Sequence, residues 1–412
     1  MKCRHCKTKL NQVFADLQYA PISNDMLREQ DLDKVEHYFP LKVFVCHECF
    51  LVQVDEFVKA DGIFRDDYTY FSSFSKTWVE HTRKYAEMMI DRYGYDGESL
   101  IVEIASNDGC LLENFAKRDI PVVGVEPTSN TAAEAMKKGV NTEIEFFSTE
   151  FVQWKYTNKY KKADLIIGNN VLAHVPDIND FVRGMKMALA ENGVITMEFP
   201  HLKNLVEECQ FDTIYHEHFS YLSLIAVKSV FEQQGLEIFN VEEIPTHGGS
   251  LRIFAKHEGN AMHAQTKGYL EVLEEEHRLG MDTIQYYKGF QSRIDRIKYD
   301  ALKFLIDKKE LGKRIIGYGA ASKGNTLLNY CGVKGQDLIQ FVVDASPAKQ
   351  NKFLPGSHIP VVNEAEIKKY KPDYVIILPW NLESEIRHQL DYIKDWGGQF
   401  VTFIPELKVF DR

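Results

Sequence analysis

Between Leu100 and Glu126 the chain reads strand, tight turn, helix, strand, acid, and few folds accept that order. Leu100-Ile-Val-Glu-Ile104 has the length and apolar continuity of a buried strand. Ala105-Ser-Asn-Asp-Gly109 makes the turn, Cys110 to Lys117 a helical run, and Val122-Val-Gly-Val125 the second strand, ending in Glu126. This opening predicts a doubly wound α/β sheet that binds its ligand at the carboxyl ends of the strands. Asp164 to Asn170 continues it, running on towards His174, and Gly193 to Phe199 follows a Glu191-Asn192 turn. A helix near 226–235, the strand Glu237 to Val241 and an antiparallel last strand from Ser250 to Ala255 would close it as a hairpin.

The turn is not Gly-x-Gly-x-x-Gly, so it makes a poor pyrophosphate cradle. Its lining is small and acidic: Glu103, Ala105, Ser106, Asn107, Asp108 and Gly109. That lining matches a ligand whose tail is a zwitterionic amino acid on a sulfonium, S-adenosylmethionine. Glu126 stands where such sheets grip a ribose diol, and Asn169 and Asn170 form the polar tip of the third strand.

A second unit of the same kind begins at Lys313. Arg314 to Tyr318 is a strand, Gly319 to Gly324 a turn, and Ile339 to Val343 the next strand, ending in Asp344. A rival reading as an NAD site follows, although Ser322 replaces the third glycine of the dinucleotide fingerprint. Asn325 stands where a P-loop requires lysine. What remains is a helix N-terminus with small residues and Lys323 beside it, a general anion-binding arrangement. Tyr374 to Leu378 leads into Pro379, Trp380 and Asn381, which either touch the same ligand or pack as core.

Four of the seven cysteines form two Cys-x-x-Cys pairs, Cys3 with Cys6 and Cys46 with Cys49. Two such knuckles supply the tetrahedral thiolate set that zinc prefers, and a fully thiolate-ligated ion has no open position, so the site is expected to be structural. A redox dithiol is the other reading. His5 and His47 lie inside the knuckles, where four thiolates make them unnecessary. Further on, the aromatic and hydroxyl-rich run from Asp66 to Lys76, with Tyr70 and Ser73, reads as core or as one wall of a polar pocket. It leads into a helix from about Thr77 to Arg92 that ends near Gly94.

Tyr215, His216, Glu217 and His218 place a phenol, two imidazoles and a carboxylate side by side. The bland reading is a polar turn whose imidazoles cap backbone groups; the other is acid–base chemistry near neutral pH. Thr246-His-Gly-Gly249 is either a bend between strands or a place where backbone approaches a ligand closely. Met262 to Lys309 reads as helices connecting domains, and the acidic run Glu274 to Glu276 as a solvated face.

The net charge of −11 argues against a nucleic-acid or anionic-membrane partner. No apolar run reaches spanning length and the first residues carry no signal-like core, so the expected place is the cytoplasm.

Across its whole length the chain resembles the three-domain sugar C-methyltransferases, which use S-adenosylmethionine to add a methyl branch to nucleotide-linked keto-deoxysugars. The paired Cys-x-x-Cys, Val102 to Gly109, the Tyr-His-Glu-His run, Thr246 to Arg252 and Gly317 to Asn325 carry the resemblance, in order. It implies a zinc-binding module over 1–70, a class I methyltransferase domain over 71–260, a helical connector over 261–310 and a Rossmann-like substrate lobe over 311–412. It further implies methylation at C-3 of a dTDP-linked 4-keto-6-deoxysugar by way of an enolate. His218 is then the base, Tyr215 and Glu217 its supporting acid and orienting groups, and His216 the competitor for the base. Tyr215, His247 and Asn170 are candidates to stabilise the enolate oxygen. Tyr70, Ser73, His174, His247, Gly248, Gly249, Lys323, Asn325, Asp344 and Asn381 are expected on the substrate, and the enzyme can be a monomer. An O- or N-methyltransferase acting on similar sugars would need a base too.

Overall fold

The computed structural model describes residues 1–59, 62 and 70–410. Its centre is a seven-stranded sheet of β4 (Ile101–Ile104), β5 (Val122–Val125), β6 (Thr142–Glu143), β7 (Ala163–Asn169), β8 (Leu189–Pro200), β10 (Leu236–Ile244) and β11 (Ser250–His257). The order β10-β11-β8-β7-β4-β5-β6 is parallel except for β11, which runs antiparallel to both β8 and β10. That is the class I methyltransferase arrangement, and the expected hairpin is the device that lets β11 enter it. β4 is buried at every residue, as a strand covered on both faces must be. One expected feature differs: Glu191-Asn192 is not a turn ahead of β8 but a bulge within it, since Leu189 already pairs with Ala163 before the register resumes at Val194.

The N-terminal sheet pairs β1 (Gln12–Ala20), β2 (Phe39–Val45) and β3 (Val52–Val54) with β9 (Ser220–Tyr221), which arrives from the middle of the chain. The third sheet, β14 (Val361–Val362), β13 (Val342–Val343), β12 (Ile315–Tyr318), β15 (Tyr374–Ile377), β16 (Gln399–Thr402) and β17 (Lys408–Phe410), has the Rossmann-like order and one antiparallel edge.

The expected module boundaries are crossed in two places. β9 completes the N-terminal sheet, and the helix Phe290–Glu310 packs on that sheet as well as on the third: Phe290 stacks on Phe14 at 4.4 Å, while Phe304 meets Tyr374 at 5.2 Å. One apolar core joins β1, β2, residues 202–214, this helix and the helix Ser322–Cys331. The acidic run in the helix Lys267–Leu279 is not wholly solvated either. Glu276 is fully buried, accepts the backbone N–H groups of Leu224 and Ile225 at 2.6 and 2.8 Å, and pairs with the buried His201 at 2.7 Å. It caps the helix Leu224–Gln233, a role that spacing alone does not reveal.

Candidate active site

Tyr215 to His218 form a turn, closed by the N–H of His218 on the carbonyl of Tyr215 at 3.0 Å. A turn points successive side chains in different directions, and the four candidates separate accordingly. The His218 Nδ1–H donates to the Thr213 carbonyl at 2.8 Å; a carbonyl can only accept, so this bond fixes the tautomer. The lone pair left on Nε2 faces the Tyr215 hydroxyl at 2.9 Å. His174 stands at 4.6 Å from the His218 ring and donates its own Nδ1–H to the Glu217 carbonyl at 2.7 Å. Burial, with His174 beside it, holds His218 well below the ordinary histidine range. Burial likewise takes His174 down to about 4. Both rings are therefore neutral near pH 7.

His216 points the opposite way, its Nε2 on the Pro40 carbonyl at 3.2 Å and its ring between Phe39 and Phe57. Glu217 also turns to the N-terminal module, where Ser23 and Asn24 donate to its carboxylate at 3.1 and 2.7 Å. The expectation that Glu217 orients His218 is thus corrected: the Thr213 carbonyl does so, because the turn carries the Glu217 side chain away from the imidazole.

The cofactor end lies at the carboxyl edge of β4, β5 and β7. Ala105, Asn107 and Gly109 all have positive φ, which folds the turn tightly over β4. Glu126 accepts the N–H groups of Asn107 and Thr128, each at 2.9 Å, and Asp108 pairs with Lys138 at 3.4 Å. Among the described residues, both amide atoms of Asn169 and the atoms Asn170 Oδ1, Asp108 Oδ1, Glu103 Oε2 and Ser106 Oγ are buried with no hydrogen-bond partner. Each such atom costs about 1–3 kcal/mol, so their gathering at one strand edge marks a place built for a polar ligand. S-adenosylmethionine fits that donor and acceptor set. Burial, with Asp108, Glu126 and Glu198 close by, drives Glu103 well above the carboxylate range, and a cationic ligand would reverse this.

Ser73 sits at this end. Its N–H and hydroxyl both go to Asp108, while Ser72 N–H and the Tyr70 carbonyl engage Asn107. Tyr70 is about half exposed. Residues 66–69 of the expected wall lie outside the described residues.

In the third lobe Lys323 donates to Asn381 at 2.9 Å and lies over the Trp380 ring at 4.5 Å. His247 has φ 58° and an Nδ1 with no partner among the described residues; burial, reinforced by Lys323, lowers it to about 4. At Gly248 a Cβ would collide with Trp380, and at Gly249 with Asn204, and both glycines have positive φ, so close packing already requires them. Asn325 is buried and takes a bond from Asn329 at 3.2 Å. Asp344 accepts the N–H groups of Ala320 and Ser346 at 2.7 and 2.8 Å, as Glu126 does for its own turn. In both sheets the strand-tip acid clasps the first turn.

Four residues escaped sequence reasoning. Glu198, at the end of β8, holds Arg252 at 2.6 Å and His81 at 2.9 Å, all buried or nearly so. Asp212 is fully buried and accepts the Trp380 Nε1–H at 2.9 Å. Arg252 lies inside a motif quoted above, but nothing in its spacing reveals its partners, and Asp212 lies outside every motif quoted.

The four cysteine sulfurs lie within 4.8 Å of one another. Zinc–sulfur bonds of ~2.3 Å give a tetrahedron with edges of ~3.8 Å, so the set fits one ion as a closed, structural site. His5 is engaged elsewhere, with Asn179 at 2.9 Å and Ser229 at 3.0 Å. Arg4 reaches the Pro176 carbonyl at 2.7 Å, so the first knuckle docks on the central domain.

Comparisons with known proteins bear on the family. Family models described as a zinc binding domain, a methyltransferase domain and a C-methyltransferase C-terminal domain match residues 3–64, 80–241 and 245–405. The C-methyltransferase NovU of Streptomyces niveus is 35% identical over 389 residues, covering 94% of this chain and 92% of that protein. An S-adenosylmethionine-dependent methyltransferase of Clostridium acetobutylicum is 12% identical over 44% of this chain and 92% of its own, with a TM-score of 0.36. The PH0226 protein of Pyrococcus horikoshii is 12% identical over 46% of this chain and 95% of its own, with a TM-score of 0.37. Scores so low carry no argument about the site. The relative matched over nearly its whole length and the three matched models show the family: the chain belongs to the S-adenosylmethionine-dependent C-methyltransferase family, with a structural zinc module at its start.

Proposed function

We propose that the protein methylates C-3 of a nucleotide-linked, dTDP-type 4-keto-6-deoxysugar through an enolate generated by His218. The observation that carries this reading is the tautomer of His218, whose Nδ1–H is spent on Thr213 and whose Nε2 lone pair faces the Tyr215 hydroxyl beside His174. A neutral imidazole with an available lone pair is what abstraction of a proton next to a ketone requires.

Nε2 takes the C-3 proton, and the C–H electron pair moves into the enolate, leaving its charge on the C-4 oxygen. Tyr215, released from Nε2 as the imidazolium forms, is the nearest O–H donor for that oxygen, with Asn170 and His247 as further candidates. S-adenosylmethionine, which Glu103, Ala105 to Gly109, Glu126, Asn169 and Asn170 would hold, would supply an electrophilic methyl group to the enolate carbon and keep the C–S electron pair on its sulfur. Lys323, Asn381 and the Gly319–Ala321 turn ahead of the helix Ser322–Cys331, shaped by Asn325 and Asp344, take the nucleotide-bearing end. His174, Gly248 and Gly249 bound the sugar, and Tyr70 and Ser73 lie at the cofactor end. His216 and Glu217 support the turn from behind. The modules follow the ranges 1–70, 71–260, 261–310 and 311–412, and the enzyme works as a cytoplasmic monomer without nucleic acid or membrane.

The test is solvent deuterium incorporation at C-3 of a dTDP-linked 4-keto-6-deoxysugar. Wild type exchanges and His218→Ala loses exchange while still binding S-adenosylmethionine. Undiminished exchange in His218→Ala sinks the assignment of the base.

A further inference from the structure

Asp212 has no part in the chemistry above, yet it is fully buried, immediately precedes the residue that orients His218, and bonds to the third lobe. Its Oδ2 accepts the Trp380 indole N–H at 2.9 Å, and its Oδ1 has no hydrogen-bond partner among the described residues. Trp380 is in turn covered by the Lys323 ammonium at 4.5 Å and abuts Gly248. A second strut joins the same pieces: the Thr326 hydroxyl donates to the Ile214 carbonyl at 3.0 Å. The turn Phe211–Thr213 is therefore held from the third lobe on both sides of Thr213.

We propose that Asp212 is a positioning residue: its carboxylate clamps Trp380 and counterbalances Lys323, so that docking of the third lobe sets the placement and basicity of His218. The inference rests on His218 being the base. Its physical ground is simple. A buried carboxylate holds an indole N–H more strongly when charged than when neutral. Its charge also offsets the Lys323 ammonium, which otherwise acts on His218 and His247 together.

The surroundings make this a titratable clamp. Burial raises Asp212 to about 6, and Lys323 and Trp380 resist the rise. Lys323 is the charged group bearing on it, and Cys209, pushed up to about 11 by burial, is the other titratable neighbour. His218 is faced by Tyr215, His174 and Tyr221, with Lys323 and His247 acting from the third lobe and the β10–β11 bend. As pH falls through about 6 the carboxylate takes a proton, the lysine goes unopposed and the base weakens.

The experiment measures deuterium incorporation at C-3 of a dTDP-linked 4-keto-6-deoxysugar against pH in the full-length protein. Wild type is expected to lose rate on the acid side with a midpoint near 6. Asp212→Asn, nearly isosteric, is expected to run about tenfold slower at pH 7.5, the scale of one pH unit in a base's strength, and to lack that inflection. In Lys323→Met the midpoint moves up, because the lysine no longer helps keep the carboxylate charged; Lys323→Arg restores it. Should Asp212→Asn fail to fold, the direction of the Lys323→Met shift decides alone. An unchanged profile in both variants, or a downward shift in Lys323→Met, overturns the proposal even where His218→Ala is inert. Exchange that survives in His218→Ala instead removes the reading on which it rests.

Discussion

Ser23 donates its hydroxyl to the carboxylate of Glu217 at 3.1 Å, across 194 residues of sequence. With Asn24 at 2.7 Å, this bond ties the zinc-bearing module to the turn that carries His218. The two modules thus meet through a buried charge, and buried charges are costly to leave unsatisfied.

Asn24→Ala is accordingly expected to cost about 1–3 kcal/mol, the penalty for stripping a donor from a buried acceptor. Urea unfolding measures it. A change within experimental error would mean that the carboxylate is already protonated and needs no second donor.

Removal of the metal acts through the same connection. The full-length protein is expected to hold one zinc ion, and Cys3, Cys6, Cys46 and Cys49 to be protected from thiol reagents until a chelator extracts it. Because Arg4 and His5 dock the first knuckle on the central domain, extraction should also loosen Glu217 and slow exchange at C-3. Metal analysis, thiol titration and the exchange rate, run on one sample, test the order of events.

Glu198, Arg252 and His81 form a buried ion cluster, with Arg252 also reaching Glu242 at 3.0 Å. Arg252→Met strands the carboxylate of Glu198 and is expected to cost about 3–5 kcal/mol. Glu198→Gln with Arg252→Met should cost less than the sum of the two, and a double-mutant cycle reads this directly.

His174 and His247, each lowered to about 4 by burial, remain neutral in the fold while unfolded histidines protonate near 6.5. Between about 6.5 and 4 the unfolded chain binds more protons at these sites, so their contribution to stability is present above this window and is lost as pH falls through it. Raised carboxylates such as Glu103 and Glu217 act in the opposite sense. The measurement is therefore the difference in melting temperature between wild type and His247→Asn across that range: the variant should lose less on acidification.

Local patterns were enough for most of the central sheet, though not for the bulge at Glu191-Asn192 or for β9 joining the N-terminal sheet. The run from Leu100 to Glu126 specified a doubly wound sheet because strand length, turn composition and helical periodicity are short-range properties that a sequence displays openly. The same holds for the helix ending at Gly94, which appears as Lys76–Tyr93 with Gly94 in a left-handed cap, and for the two cysteine knuckles. The direction of each side chain in the Tyr-His-Glu-His turn was not legible. His218 meets Tyr215, Thr213 and His174, while His216 and Glu217 look to the first module, because a turn fans consecutive residues apart and their partners, Pro40, Ser23 and Asn24, come from nearly two hundred residues upstream. Glu276 read as solvated and is a buried cap; Asp212 read as nothing and holds Trp380. Sequence by itself determined the fold class, the family and the four-cysteine set, and it marked the candidate residues. Only the tertiary structure decided which of them meet, since hydrogen bonds and charge pairing depend on distances that chain folding, not chain order, creates.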